Sequence, residues 1–392
     1  MKIHFLLLLV CILFTSNTFS QNPITTAVPF LLIAPDARSG SLGDAGVSTT
    51  PDVYSMFWNP AKYAFCEKDF GFGIGYVPWL HALVNDIGLA SVAGYKKFGD
   101  KQAVAMSLRY FSMGTVNFTD ENGNDLGDYK PNEFAIDATY SRKFSPAFSG
   151  AVAGRFIYSN LVPVPSNSIK GIENVRPGKS VAADVSLFYH KELEIKGLTS
   201  SWISVGMDIS NIGVKISYSS SSIVRDFIPT NLRLGPSFTM DVDEYNRLSL
   251  GVDLNKLLVP TPPIYSKDST GNKTILSGKD PNVSVVTGMI QSFYDAPGGF
   301  SEELQEWTVS PFVEYWYNKL FSIRAGYFYE SKNKGDRQFV TMGAGLRYNV
   351  FGLDFSYLLP VRSNNPLQHT MQFTLLFNFD KVGDKDKQQS KQ

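Results

Sequence analysis

The run EFAIDATYS, residues 133–141, alternates with a period of two. Phe134, Ile136, Ala138 and Tyr140 make one apolar face, and Glu133, Asp137, Thr139 and Ser141 make a polar one. That period belongs to a β-strand with one side in an apolar medium and the other wet. The same rhythm recurs in Val104, Met106, Leu108 and Tyr110 against Arg109, and in Leu232, Leu234 and Phe238 against Arg233. It returns in Leu248, Leu250, Val252 and Leu254 against Asp253, in Phe321, Ile323, Ala325 and Tyr327 against Arg324, and in Val340, Met342, Ala344, Leu346 and Tyr348 against Arg347. Each segment is about ten residues long, the length that crosses a bilayer as a tilted strand.

Fourteen such segments are readable, near 69–78, 86–98, 102–113, 132–143, 148–160, 179–191, 202–211, 229–241, 246–256, 306–316, 319–330, 337–349, 351–360 and 369–379. From the second onward their connections alternate between short turns (99–101, 145–147, 242–245, 317–318) and long loops (114–131, 161–178, 257–305, 361–368). An even strand count with turns on one side and loops on the other is the layout of a bacterial outer-membrane barrel, turns in the periplasm. The expectation is an all-β, 14-stranded antiparallel transmembrane β-barrel. A soluble β-sandwich also alternates, but it has no need for Tyr or Phe near so many strand ends, and only a closed barrel satisfies every backbone group in lipid.

Residues 1–20 read as a secretory signal peptide, Lys2 followed by the apolar run Ile3–Phe14 and a small polar end at Ser20. Lipidation at Cys11 is the alternative, against which stands the lack of small residues before that cysteine. With Cys11 removed, Cys66 has no partner for a disulfide. No run of about 18 apolar residues offers a membrane helix. Zero formal net charge lacks the basic surplus of a nucleic-acid binder. Residues 21–68 precede the first strand of a barrel wide enough to need filling, so they are expected in the lumen as an N-terminal hatch or plug, followed by the barrel at 69–379 and a polar tail at 380–392. In the hatch Asn59 is placed to cap a short helix starting at Pro60 and Ala61, with Phe57 and Trp58 packing as the stopper. Gly40, Gly43 and Gly46 are placed for close approach to the wall. Both termini are expected to be periplasmic or luminal.

The stretch DARSGSLGDAGVSTTPDVYSMFWNPAKYAF, residues 36–65, with Asn-Pro-Ala at 59–61, resembles the hatch of the FadL superfamily. More narrowly it resembles the PorV family, FadL-like barrels of the Bacteroidota type IX secretion system. FYDAPGGFSEELQE, residues 293–306, is similar to a PorV segment and favours that family over the shorter PorQ relatives. The last strand MQFTLLFNF, residues 371–379, is similar to the barrel-insertion signal, with Phe377 and Phe379 flanking Asn378 and with Thr374 where glycine is favoured. The resemblance implies a non-enzymatic secretion component in outer-membrane lipid. Its implied partners are a SprA-like translocon, the C-terminal domains of cargo proteins and a PorU-containing attachment complex.

Catalytic chemistry finds no foothold. His81, His190 and His369 lie apart, and no metal-binding spacing, nucleophile elbow or phosphate-cradling loop occurs, so no catalytic residue, metal or cofactor is expected. Arg109, Arg155, Arg233, Arg324 and Arg347 balance Asp137, Asp184, Asp208, Asp253 and Glu314 on the wet faces, which suits a salt-bridged interior holding the hatch better than a one-sign selectivity ring. The loop at 257–305 is too long for a mere connector. Its middle is read as an ordered extracellular excursion, with a helix starting at Ser301. Met289, Ile290, Phe293, Tyr294, Pro297, Gly298, Gly299 and Phe300 are its candidate partner-binding residues. The rival to secretion is a FadL-like uptake channel for hydrophobic small molecules; a plain porin conflicts with a filled lumen.

Overall fold

The computed structural model describes residues 22–81, 83–119, 122–161, 175–219, 225–267, 273–362 and 365–380. The proposed signal peptide, Cys11 and the tail beyond Asp380 lie outside them. In chain order the strands are β1 (Phe70–Pro78), β2 (Ile87–Phe98), β3 (Gln102–Met113), β4 (Val116–Thr119), β5 (Asp125–Tyr129), β6 (Asn132–Ser145), β7 (Phe148–Asn160), β8 (Gly178–Leu193) and β9 (Ser200–Gly213). They continue with β10 (Asn231–Asp241), β11 (Asn246–Leu257), β12 (Ile264–Lys267), β13 (Lys273–Ser277), β14 (Trp307–Tyr317), β15 (Phe321–Tyr329), β16 (Gln338–Tyr348), β17 (Phe351–Pro360) and β18 (Met371–Phe379). All but the hairpins β4–β5 and β12–β13 close into one antiparallel barrel, each strand beside its neighbour and β1 beside β18. The fourteen alternating segments of the sequence are its fourteen staves.

Closure at the β1–β18 seam is reinforced by aromatic pairs: Phe72 faces Phe377 with ring centroids 4.5 Å apart, and Phe70 faces Phe379. The burial pattern is that of a soluble protein turned inside out. Outward Met106 is 63% exposed and Ile74 50%, whereas inward Asp137 is 0% exposed and Glu314 2%. Lipid takes the first set and protein covers the second. No helix among the described residues is long and apolar enough to span a membrane; the strands do the crossing.

The long-loop side carries structure that the alternation did not reveal. β4 and β5 pair in the 114–131 loop, and β12 and β13 in the 257–305 loop. They are four or five residues long, too short for their alternation to stand out in the sequence. The middle of the long loop forms a helix at Val285–Gln291, whose Ser284 cap accepts a bond from Thr287 N at 3.2 Å. A second helix, Phe300–Gln305, begins one residue before Ser301 because Gly299, at φ 69°, supplies the sharp entry.

Candidate functional site

The hatch sequence builds itself from local caps. Asp36 accepts the Ser39 N–H at 2.8 Å to start the short helix Ala37–Gly40, and its other oxygen accepts Trp58 Nε1–H at 2.9 Å. Asn59 caps the 3-10 helix Pro60–Phe65 by accepting the Ala61 N–H at 3.1 Å. The Asn59 amide then donates to Val47 O within the segment and to Leu187 O of β8, both at 3.0 Å. Phe57, Trp58, Asn59, Pro60 and Ala61 are all buried inside the barrel.

The wall meets this segment with side chains from nearly every direction. Arg38 donates to Glu314 of β14 through Nε at 2.9 Å and Nη2 at 2.7 Å, and it also pairs with Asp52 at 2.8 Å. Asp253 of β11 accepts the backbone N–H groups of Gly46 (2.6 Å) and Val47 (2.8 Å). Ser141 of β6 and Ser149 of β7 both donate to Ala61 O, Ser237 of β10 donates to Ser48 O, and Thr341 of β16 accepts the Gly43 N–H. Thr374, the residue that departs from the barrel-insertion pattern, accepts the Ala37 N–H at 2.8 Å. The guanidinium of Arg109 lies 4.8 Å from the Phe57 ring and that of Arg233 lies 5.1 Å from Trp58, so each of these aromatics is faced by a wall cation. Arg155 bridges Asp137 and Asp184, and Arg324 bridges Glu314 and Asp354, which completes a mixed-sign interior.

Close approach is arranged from both sides. A Cβ on Gly206 of β9 would sit 2.0 Å from Val47 O, and one on Gly326 of β15 would sit 2.1 Å from the Leu42 carbonyl carbon. In the hatch, Gly43 abuts the Tyr327 backbone and Gly40 the Gln372 side chain. Gly46 meets both sides: its N–H reaches Asp253 of the wall at 2.6 Å, and a Cβ on it would strike Trp58 of the hatch. His190 is placed differently from a surface histidine: it stacks on Phe188 and meets Phe65 edge-on at the short-turn end of the lumen. Among the described residues no group of three or more His, Cys, Asp or Glu is placed to hold a metal ion.

Among the described residues, two of the barrel's cavities open at opposite ends. One of about 430 Å³ opens toward the long loops, between Pro23–Thr26, Arg233, Phe328 and Arg337; one of about 370 Å³ opens toward the short turns, between Asp52, Trp202, Arg247 and Arg347. They share no lining residue, and fully buried Leu42, Val47 and Asn59 lie in the layer between. Asn22 sits at the long-loop mouth, bonded to Asn333 O, Pro262 O and Glu302, whereas β18 ends at the short-turn side.

Around that mouth the 258–306 loop presents Ile290 (60% exposed), Phe293 (45%), Tyr294 (54%) and Phe300 (76%), with Gly298 and Gly299 exposed and Met289 and Pro297 half-buried. The loop is held from below. Buried Lys256 pairs with Glu303 (3.1 Å) and Glu306 (2.5 Å), and Lys334 with Glu302 (2.5 Å) and Glu306 (3.0 Å). Burial alone would raise the Glu302 carboxyl, but the bonds from Lys334 and Gly298 and the Lys334 charge leave it below its usual range.

Residues 16–264 match the family described as type IX secretion system protein PorV. The chain belongs to the PorV family. It is accordingly an outer-membrane barrel of the type IX secretion system, and its family and fold are of the transport and secretion kind. The match takes in the hatch and the wall through β11, and it stops before most of the long apolar loop. Among solved structures, the Pseudomonas putida toluene transporter TodX aligns with 89% of this chain and 99% of its own at 11% identity and a TM-score of 0.50, a likeness of fold. The Ralstonia pickettii toluene transporter TbuX aligns at 10% identity over 89% and 100% of the two chains with a TM-score of 0.46. A Pseudomonas aeruginosa FadL homologue does so at 12% identity over 92% and 100% with a TM-score of 0.39. No curated protein matches.

Proposed function

We propose that this PorV-family barrel works by its long-loop face: a stoppered scaffold that docks a SprA-like translocon, engages the C-terminal domains of cargo and passes cargo to a PorU-containing attachment complex. Residues 21–68 act in this reading as a permanent plug. The observation that carries it is the rim loop, in which Ile290, Phe293, Tyr294 and Phe300 stay exposed while Lys256 and Lys334 pair with Glu302, Glu303 and Glu306 at the loop's end. A fixed apolar surface on an ordered loop is what a protein partner needs, since little entropy remains to be lost on docking. The rival reading, uptake of hydrophobic small molecules, draws on the 430 Å³ cavity at the same mouth, yet that cavity ends on the buried hatch layer.

The test is recovery of partners from detergent-solubilised outer membrane with the wild-type chain and with an Ile290→Ser, Phe293→Ser, Phe300→Ser variant. Loss of a very large barrel and of cargo from the variant, with its own barrel intact, supports surface docking. Equal recovery sinks it, and a stoichiometric apolar small molecule bound to a partner-free protein favours uptake.

A further inference from the structure

The outer wall carries a groove that neither the plug nor the rim explains. Between β8 and β9 the ladder slips one step: Ala183 pairs with Ile212 but Val185 pairs with Ile209. Asn211 takes a left-handed conformation at φ 60° and gives its N–H to Asp184 at 2.7 Å. Such a bulge bends the strand and interrupts the regular wall. Small residues Ala182, Ala183 and Gly213 line the hollow, and Val283 to Val286, entering the Val285–Gln291 helix, overhang it. The result is an open groove of about 680 Å³ whose floor adds Val181, Ile212 and Val214.

Two features say what covers it. Its floor is continuous with the lipid-facing band, in which Val181, Val185, Val205 and Val214 are all exposed. Lys215 and Arg225 stand at its long-loop edge. Lys215 is fixed there, its ammonium 3.9 Å from the Phe227 ring, and Phe227 in turn packs under Gly288 of the overhanging helix. Asp226 and Asp280 offset part of the Lys215 charge. An apolar slot in the bilayer wall with cations where the headgroups begin is complementary to an anionic lipid.

We infer that this groove binds a phosphate-bearing lipid of the leaflet around the long-loop mouth, one acyl chain lying along Val181, Ala183 and Val214 and the phosphate facing Lys215 and Arg225. The ligand is a resident of the membrane, so the site is independent of cargo and of the plug.

The purified full chain is titrated with dimyristoyl phosphatidic acid, with dimyristoylglycerol as the phosphate-free control, and bound lipid is counted by native mass spectrometry. The wild type retains one phosphatidic acid in preference to the glycerol. K215Q/R225Q lowers the phosphatidic acid affinity roughly 30-fold and leaves the glycerol unchanged, from the usual contribution of a basic residue at an anionic lipid surface. Ala183→Phe, which fills the slot from the lipid side, lowers binding of both. Equal binding of the two lipids by the wild type, or unchanged binding by both variants, overturns the assignment, as does a wild-type groove that retains a protein and no lipid. Each variant is scored only if it keeps the heat-modifiable electrophoretic shift of a closed barrel, and the two act through different chemistry.

Discussion

Glu314→Gln removes one charge from the point where hatch and wall are tied. In the native protein Glu314 accepts from Arg38 Nε (2.9 Å) and Nη2 (2.7 Å) of the hatch and from Arg324 Nε (2.7 Å) of the wall, all three groups being buried. Removing one partner of a buried pair costs about 3–5 kcal/mol, because a charge is left in a dry site. Arg38 retains Asp52 and Arg324 retains Asp354, each at 2.8 Å, which places the effect near the low end, about 3 kcal/mol. Docking of the hatch therefore weakens roughly 100-fold, while the strand ladder keeps every backbone bond. Limited trypsin digestion reads this directly: Arg38 and Lys62 are buried and protected in the native protein, and cleavage there follows the open population. We expect cleavage after Arg38 or Lys62 to rise about 100-fold in the variant with the barrel's electrophoretic shift retained. A second change, Arg38→Met, removes the stranded cation, so the double variant should lose less than the sum of the two single losses, the signature of coupled residues. Unchanged cleavage rates in Glu314→Gln would refute the claim that this pair holds the hatch.

Other outcomes follow from the same geometry. Asp253→Ala deprives the Gly46 and Val47 N–H groups of their acceptor, and hydrogen exchange at those two amides should accelerate ahead of the neighbouring strands, by an energy of roughly 3–6 kcal/mol for two bonds to a charged group. Gly326→Val puts a side chain where Leu42 and Gly43 backbone now lie, so the hatch is expected to be displaced and the melting temperature lowered, whereas Gly154→Val, with open space around its Cβ position, should leave both unchanged. In the rim loop, burial pushes Asp295 up to about 6, the Thr261 N–H bond opposing and the Glu303 and Glu306 charges adding to the rise. Its folded form thus favours the proton, so this contribution to loop stability is complete below about pH 4 and is lost as pH rises through 6. Hydrogen exchange in 258–306, corrected for intrinsic rates, should be slower at pH 5 than at pH 7.5, and Asp295→Asn should flatten the difference.

The barrel was legible because lipid outside and polar contacts inside write a two-residue period into every stave, and EFAIDATYS carries it with Ala135 as the one apolar residue on the wet face. The hatch was placed by elimination, as forty-odd residues with no strand rhythm ahead of a wide barrel, and by the resemblance of residues 36–65 to a known hatch. Its caps were local and therefore readable, Asn59 before Pro60 above all. What joins it to the wall was not, because Arg38 and Glu314 are 276 positions apart and nothing in either neighbourhood points to the other. Asp354, absent from the expected charge ladder, turns out to hold both Arg324 and Arg347. Gly206 and Gly326 looked like ordinary strand glycines until the hatch backbone was found against them. Thr374 had one weak signal, its departure from the insertion pattern, and the Ala37 N–H supplies the reason.

The most direct measurement is the conductance of the purified protein in a planar bilayer. A lumen in which the two mouths end on a common buried layer predicts insertion without steady open-channel current, and current appearing only when the hatch is released, as in Glu314→Gln. Large, stable single-channel steps from the unaltered chain would mean that ions pass freely through the barrel, and a stoppered scaffold acting by its loop face would be untenable.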